Sequence, residues 1–285
     1  MRAAPYLFLL CIPAVPLVQH RIDARLGEFR AQEEVLYISS PEQVRRLAAG
    51  LEDLMADIYW LRTVQYYGGQ RAWAKDKRFD LLRPLVEITV TLDPRLEIAY
   101  HYGAVFLAEP RSIGAGQPEA AIELLERGRK AMPQNWHMAQ ELGFFKFFYL
   151  HDAQGASQVL LEASRIPGAP YWLQTLAADV LARGGERELS RQIWLTMYRQ
   201  GEEGAIRQNA LSNLQRLDAL DRIDALKAAV EEFTRRTGRR PRGLEELSTS
   251  GLTSLSAIDP TGIPFDYDAE TGMISISNRS SLWRP

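Results

Sequence analysis

From Pro133 to Pro167 the chain reads PQNWHMAQELGFFKFFYLHDAQGASQVLLEASRIP. Apolar and small residues recur at three- and four-residue spacing, as in Met138, Leu142 and then Ala156, Leu160, Ala163, which is the period of an amphipathic helix. A proline closes the stretch at each end, where a helix cannot continue. The stretch is therefore a helix, a short turn and a second helix.

The same pattern extends outward on both sides. LEDLMADIYWLRTVQYY from Leu51 and AAIELLERGRKAM from Ala120 have helical periodicity, and helix is expected almost without interruption from Pro41 to about Arg236. Breaks are expected at YGGQ near Gly68, LDPR near Pro94, MPQN near Pro133, IPGAP near Pro167 and ARGGER near Gly184. Alternation of the strand kind is scarce in this region. Pro133 and Pro167 stand 34 positions apart, and Pro94 precedes Pro133 by slightly more, an excess that matches the loop EPRSIGAGQP. A fixed spacing of this size marks stacked helix pairs.

Residue types follow the spacing. Tyr102-Gly103 and Leu142-Gly143 take equivalent places early in a first helix. Ala121, Leu125, Gly128 and Pro133, then Ala156, Leu160, Ala163 and Pro167, supply small, large, small and proline positions of a second. The small residues are needed where two helices approach closely. This pattern resembles the tetratricopeptide repeat family. The likeness is strongest in those two repeats, weaker in a third that opens at Trp172 with Leu176-Ala177, and degenerate in a unit spanning Ala56–Tyr67 and Phe79–Leu92. The resemblance implies a mainly α fold, a right-handed superhelix or α-solenoid, whose first helices line a groove that binds protein segments.

Carried over position by position, the groove falls on His137, Gln140, Phe144, Phe147 and Phe148 in the second repeat. Glu97, Tyr100, Ala104 and Leu107 are the corresponding positions in the first, and Tyr171, Gln174, Ala178 and Leu181 in the third. The run GFFKFFYL places aromatic rings all round its helix, so one core stripe cannot take every ring. Either neighbouring repeats bury that helix on all sides, or some rings anchor a partner. The groove is not basic in these positions, so the carboxylate-clamp mode of chaperone-binding members is not expected.

At 285 residues, 46% of them hydrophobic and 25% charged, the chain can bury a substantial core. A formal charge of −2 argues against nucleic acid as the partner. Cys11 is alone, which excludes an intrachain disulfide. It sits in AAPYLFLLCIPAVPLV, a charge-free run from Ala3 to Val18 behind Arg2, with Leu10 rather than a small residue before it. The run is an uncleaved anchor, a cleaved signal or a buried hydrophobic arm, and the first two of these imply export. As a helix it reaches roughly 24 Å, short of the ~30 Å hydrocarbon core, and Pro13 and Pro16 interrupt it. The retained reading is a single-pass anchor in a bacterial inner membrane at residues 1–20, a repeat body at 21–221 in the periplasm, and a small domain at 222–285.

That last segment changes character. After a helix come RRPRGLEELSTSGL and AIDPTGIPFDYDAETGMISISN, where Ile258, Pro264–Tyr267 and Met273–Ser277 suggest short strands joined by tight turns. Thr237 to Pro241, Gly243 to Leu247 and Asp259 to Tyr267 are similar, in order, to the C-terminal part of type II secretion pseudopilins. The assembly helix of that family is missing, so a pilin subunit is not implied. Asp259, Asp266 and Asp268 are calcium candidates by that resemblance and turn caps by residue type.

No nucleophile elbow, zinc-peptidase, Walker or dinucleotide motif occurs. His137 and Glu141 share a helix face at the spacing of a zinc pair but lack a third ligand. No enzyme activity, cofactor or metal is expected. The chain reads as a scaffold that binds other proteins, in an envelope complex related to secretion or pili. Two alternatives remain open at this point: a fixed structural subunit of a membrane complex, and a small-molecule or glycan-binding module using Trp136 and Trp172 beside Gln140 and Gln174.

Overall fold

The computed structural model describes residues 40–72, 77–201 and 204–284. The N-terminal apolar run and Cys11, with the anchor expected there, lie outside the described residues. Among the described residues the protein is mainly helical, with eleven helices and one two-stranded sheet. No described helix is long and apolar enough to cross a membrane. Two compact units are formed, one by the described residues through Ala99 with Arg111–Ala115, the other by Tyr100–Pro110 with Gly116–Pro285.

The first unit contains α1 (Pro41–Ala48), α2 (Glu52–Ala72) and α3 (Leu82–Leu92). Ser40 caps α1 by accepting from the Gln43 amide at 3.4 Å, and Pro41 occupies the first turn, where its missing N–H costs nothing. Ala49 and Gly50 then adopt positive φ and turn the chain into α2. Val44, Ala48, Ala56, Tyr59, Leu85, Ile88 and Leu92 make the core of this unit. The Tyr66 hydroxyl donates to the Arg78 carbonyl at 2.7 Å, tying α2 to the segment that leads into α3. One expected break is absent. Gly68 and Gly69 lie inside α2, because two glycines cost a long helix only about 1 kcal/mol each when its other residues hold it.

In the second unit the helices are α4 (Glu97–Ala108, of which the residues from Tyr100 belong here), α5 (Pro118–Ala131), α6 (Trp136–Leu150), α7 (Ala153–Ala163), α8 (Trp172–Arg183), α9 (Arg187–Gln200) and α10 (Ala205–Thr237). Each packs on its chain neighbour from α5 through α10. Turns between them are capped by local residues. Asn135 accepts from the His137 amide and Asp152 from the Gly155 amide, while His151 takes a left-handed conformation at the end of α6.

Glycine sets how close these helices come. A β-carbon on Gly128 would stand 2.8 Å from Cδ1 of Tyr100 and 3.2 Å from Sδ of Met138. One on Gly143 would stand 2.8 Å from Cγ of Leu160. Tyr100, Met138 and Leu160 are themselves buried, so none has room to move. These are the positions where the sequence pattern requires small residues.

Charge joins α9 to α10. Arg187 reaches Asp221 at 3.1 Å and Asp224 at 2.5 Å, and Arg191 reaches Asp221 at 2.5 Å as well as Asp218. The aspartates recur every three residues and so form a continuous edge on α10. Asp221, where the composition changes, lies within α10, which is continuous to Thr237.

Beyond α10, Gly238 turns the chain at positive φ, α11 (Glu245–Thr249) follows, and β1 (Asp266–Tyr267) pairs antiparallel with β2 (Ile274–Ser275). An isolated bridge joins Ile258 to Pro264. Leu226, Val230 and Phe233 of α10 share a core with Leu244, Leu247, Phe265, Ile274 and Leu282.

Gly128→Ala should lower stability, because overpacking of about 1–3 kcal/mol exceeds the gain of about 1 kcal/mol that alanine brings to a helix. Gly69→Ala, with nothing within 4 Å of the added carbon, should instead gain about 0.5–1 kcal/mol. Urea melts of the two variants measure both; a stabilised Gly128→Ala would refute the close contact.

Candidate functional site

The face of α6 opposite its packing surface carries the strongest concentration of exposed aromatic side chains in the second unit. Met138, Ala139, Leu142 and Gly143 bury one side of the helix. The residues about half a turn away, His137, Phe144 and Phe148, are turned to solvent. Phe144 retains 36% of its accessible surface and Phe148 60%. Their rings stack at 5.8 Å with 6° between the planes, and Phe147 meets Phe148 edge-on at 5.2 Å. Two exposed rings held parallel in this way form a ridge.

Side chains from flanking helices frame the ridge. Glu141 of α6 meets His101 of α4, with Oε1 2.5 Å from Nδ1. Trp136 at the start of α6 meets Trp172 at the start of α8, edge to face at 5.7 Å, and the His137 ring stacks on Trp136 at 3.6 Å. Tyr171 and Tyr102 are exposed beside these contacts.

Of the residues expected in the groove, His137, Phe144, Phe148 and Tyr171 are exposed, while Gln140, Phe147 and Gln174 are partly covered. Tyr100 is a correction. Its ring is wholly buried against Gly128 and Met138, so a partner segment cannot reach it. Ala104, Leu107, Ala178 and Leu181 are buried in the same way. Ala104, Phe144 and Ala178 are equivalent by repeat position, yet only the phenylalanine stands out. A methyl group fits between close helices and a phenyl ring does not.

Glu141, which shares a helix face with His137, meets His101 of α4. His101 is the residue that sequence reasoning missed. A signal for it exists: His101 precedes Tyr102-Gly103 as Glu141 precedes Leu142-Gly143, so the two hold the same repeat position in neighbouring units. Thr175, before Leu176-Ala177, is the third member of that set.

In the C-terminal segment Asp259 and Asp268 act as turn caps. The Asp259 carboxylate accepts from the amides of Thr261 at 2.8 Å and Ile263 at 3.1 Å, from the Thr261 hydroxyl at 2.7 Å and from the Ser280 hydroxyl. Asp268 accepts from the Glu270 amide and the Thr271 hydroxyl. Asp266 lies in β1. Among the described residues no three His, Cys, Asp or Glu side chains gather as a metal site would require. An open hollow between α10 and the hairpin is lined by Lys227, Arg235 and Arg240, but these already meet Asp224, Glu232 and the Glu270 carbonyl.

Burial alone would raise the Asp259 carboxyl, but the hydrogen bonds from Ser280 and Thr261 outweigh it and hold the group below its ordinary value of 3.8. A depressed carboxylate stabilises the fold fully at neutral pH and loses that contribution as the pH falls below 3.8 and through the folded-state value. Asp259→Ala should cost about 2 kcal/mol at pH 7 and should flatten the acid limb of the stability curve. Thermal melts from pH 7 to pH 2 test this; parallel curves for wild type and variant would overturn it. No family model, no curated protein and no solved structure matches the chain.

Proposed function

We propose that the chain is a membrane-anchored scaffold whose helices α4, α6 and α8 present a groove to a segment of another protein. The observation that carries this reading is the stacked pair Phe144 and Phe148, exposed on a helix whose opposite side is fully packed. An apolar ring left in water forgoes about 1.5–3 kcal/mol of transfer free energy, and rings of this kind are the usual anchors of a protein interface. The row of contacts from His101 to Glu141 and from Trp136 to Trp172 supports the tetratricopeptide-like stacking that the residue pattern suggests, with first helices side by side. The charge-free run from Ala3 to Val18 supports attachment to a bacterial inner membrane, with the body in the periplasm. The pseudopilin-like C-terminal segment favours a secretion- or pilus-related envelope complex. In this reading the chain has no enzymatic role.

The glycan-binding alternative uses Trp136 and Trp172 as platforms. Their rings meet edge to face and His137 covers Trp136, which leaves less open aromatic face for a sugar.

The test is affinity purification of the full chain from gently solubilised native membranes, beside Phe144→Ser/Phe148→Ser. Both side chains are exposed, so the double variant should melt within about 0.5 kcal/mol per site of the parent. Defined partners should co-purify with the parent and be lost from the variant. Retention of the same partners would reject the ridge as the binding surface.

A further inference from the structure

A second group of side chains in the same unit lies where α8 and α10 share a core through Ala178, Ala182, Leu214 and Leu217. Thr175, Asp179 and Arg183 are spaced four apart on α8 and therefore line one face. Arg216 comes from α10. Arg284, from the C-terminal tail, donates to Oδ1 of Asn213 at 2.7 Å, one turn before Arg216. The fields of Arg284, Arg183 and Arg216 all act on Asp179, so the four charges occupy one neighbourhood.

Three arginines and one carboxylate thus share this region, Arg216 partly covered and Arg183 and Arg284 exposed at its edge. Matching is poor as well as unequal. Nε of Arg216 and the hydroxyl of Thr175 are both buried without a hydrogen-bond partner among the described residues. Asp179 is raised by its burial, with the arginines pulling it back, and no hydrogen bond contributes. Arg216 is lowered by burial and then by Arg284. Elsewhere the protein pairs such groups fully, as Arg187 and Arg191 show against Asp218, Asp221 and Asp224. Buried donors left unmet call for a ligand or another acceptor.

We propose that Arg216, Arg183 and Arg284 form a binding site for carboxylate groups, with the Thr175 hydroxyl as a further donor. A guanidinium fork matches the two oxygens of a carboxylate. A carboxylate suits the site better than phosphate, because Asp179 would repel a dianionic group more strongly. Thr175 holds the same repeat position as His101 and Glu141, which puts the site in the row that carries the proposed groove. One source of the carboxylate is thus an acidic stretch of the partner segment, which rests on the scaffold reading; the other is a free dicarboxylate, which does not.

The experiment uses the purified full chain, with succinate and a hexaglutamate peptide as separate probes, read by thermal shift and isothermal titration calorimetry. Both probes should bind, the peptide more tightly, and Arg216→Gln should weaken binding about tenfold. Asp179→Asn should tighten it. Arg284→Gln, at the exposed rim, should also weaken binding and serves if Arg216→Gln does not fold. Succinate binding with no gain from the peptide would keep the carboxylate site and remove the partner segment as its source. Binding of neither probe, or equal binding by wild type and both arginine variants, would overturn the proposal. Phe144→Ser/Phe148→Ser should leave succinate binding unchanged, so a failure of the ridge is distinguishable from a failure of this site.

Discussion

The contact of helix on helix at glycine is the constraint from which the second unit follows. At Gly128 and Gly143 the neighbouring side chains, Tyr100 and Leu160, already occupy the space a β-carbon would need. Helices this close must bury narrow stripes of small and medium residues, and they do so with Ala121, Ala139, Ala156, Ala163 and Ala177. A narrow stripe takes little of each helix. What remains must be polar, or else apolar and exposed.

α6 is where that division matters for function. Its residues are apolar almost all round, and packing uses only the side of Met138, Ala139, Leu142 and Gly143. Four phenylalanines and a tyrosine fall within two turns, so rings are left over, and Phe148 is the most exposed of them. On the flanking helices the positions equivalent to Phe144 are alanines, which disappear into the contact. The ridge is thus a local departure from the repeat, made by placing large side chains where the neighbours carry small ones.

Charge is distributed with the same contrast. Between α9 and α10 two arginines meet three aspartates, and the geometry satisfies both partners. Exposed pairs of this kind each contribute about 0–1 kcal/mol, so their main effect is to fix how the two helices align. Around α8 and α10 the fields of three arginines act on one aspartate without pairing it, and Arg216 and Thr175 keep buried donors without acceptors among the described residues. The protein tolerates this imbalance in one place while avoiding it in another, which separates a structural use of charge from one open to a ligand. Asp259 belongs to the structural kind: every acceptor it offers is taken by its own turn and by Ser280.

The sequence by itself determined the helical class, the breaks at Pro94, Pro133 and Pro167, the small residues at Gly128 and Gly143, and the turns at Asp259 and Asp268. All of these are local: periodicity, proline geometry and short-range hydrogen bonding act within a few residues. It misplaced a break at Gly68-Gly69, because glycine weakens a helix without ending one whose other residues pack well. Which groove positions are open was decided only by tertiary structure. Tyr100 and Phe144 both read as groove aromatics, yet one is sealed against Gly128 and the other stands in solvent, and that difference depends on the side chains of a neighbouring helix. The same holds for His101 with Glu141, which are far apart in the chain and meet only once the helices stack, and for Arg216, Asp179 and Arg284, which that stacking brings into one neighbourhood.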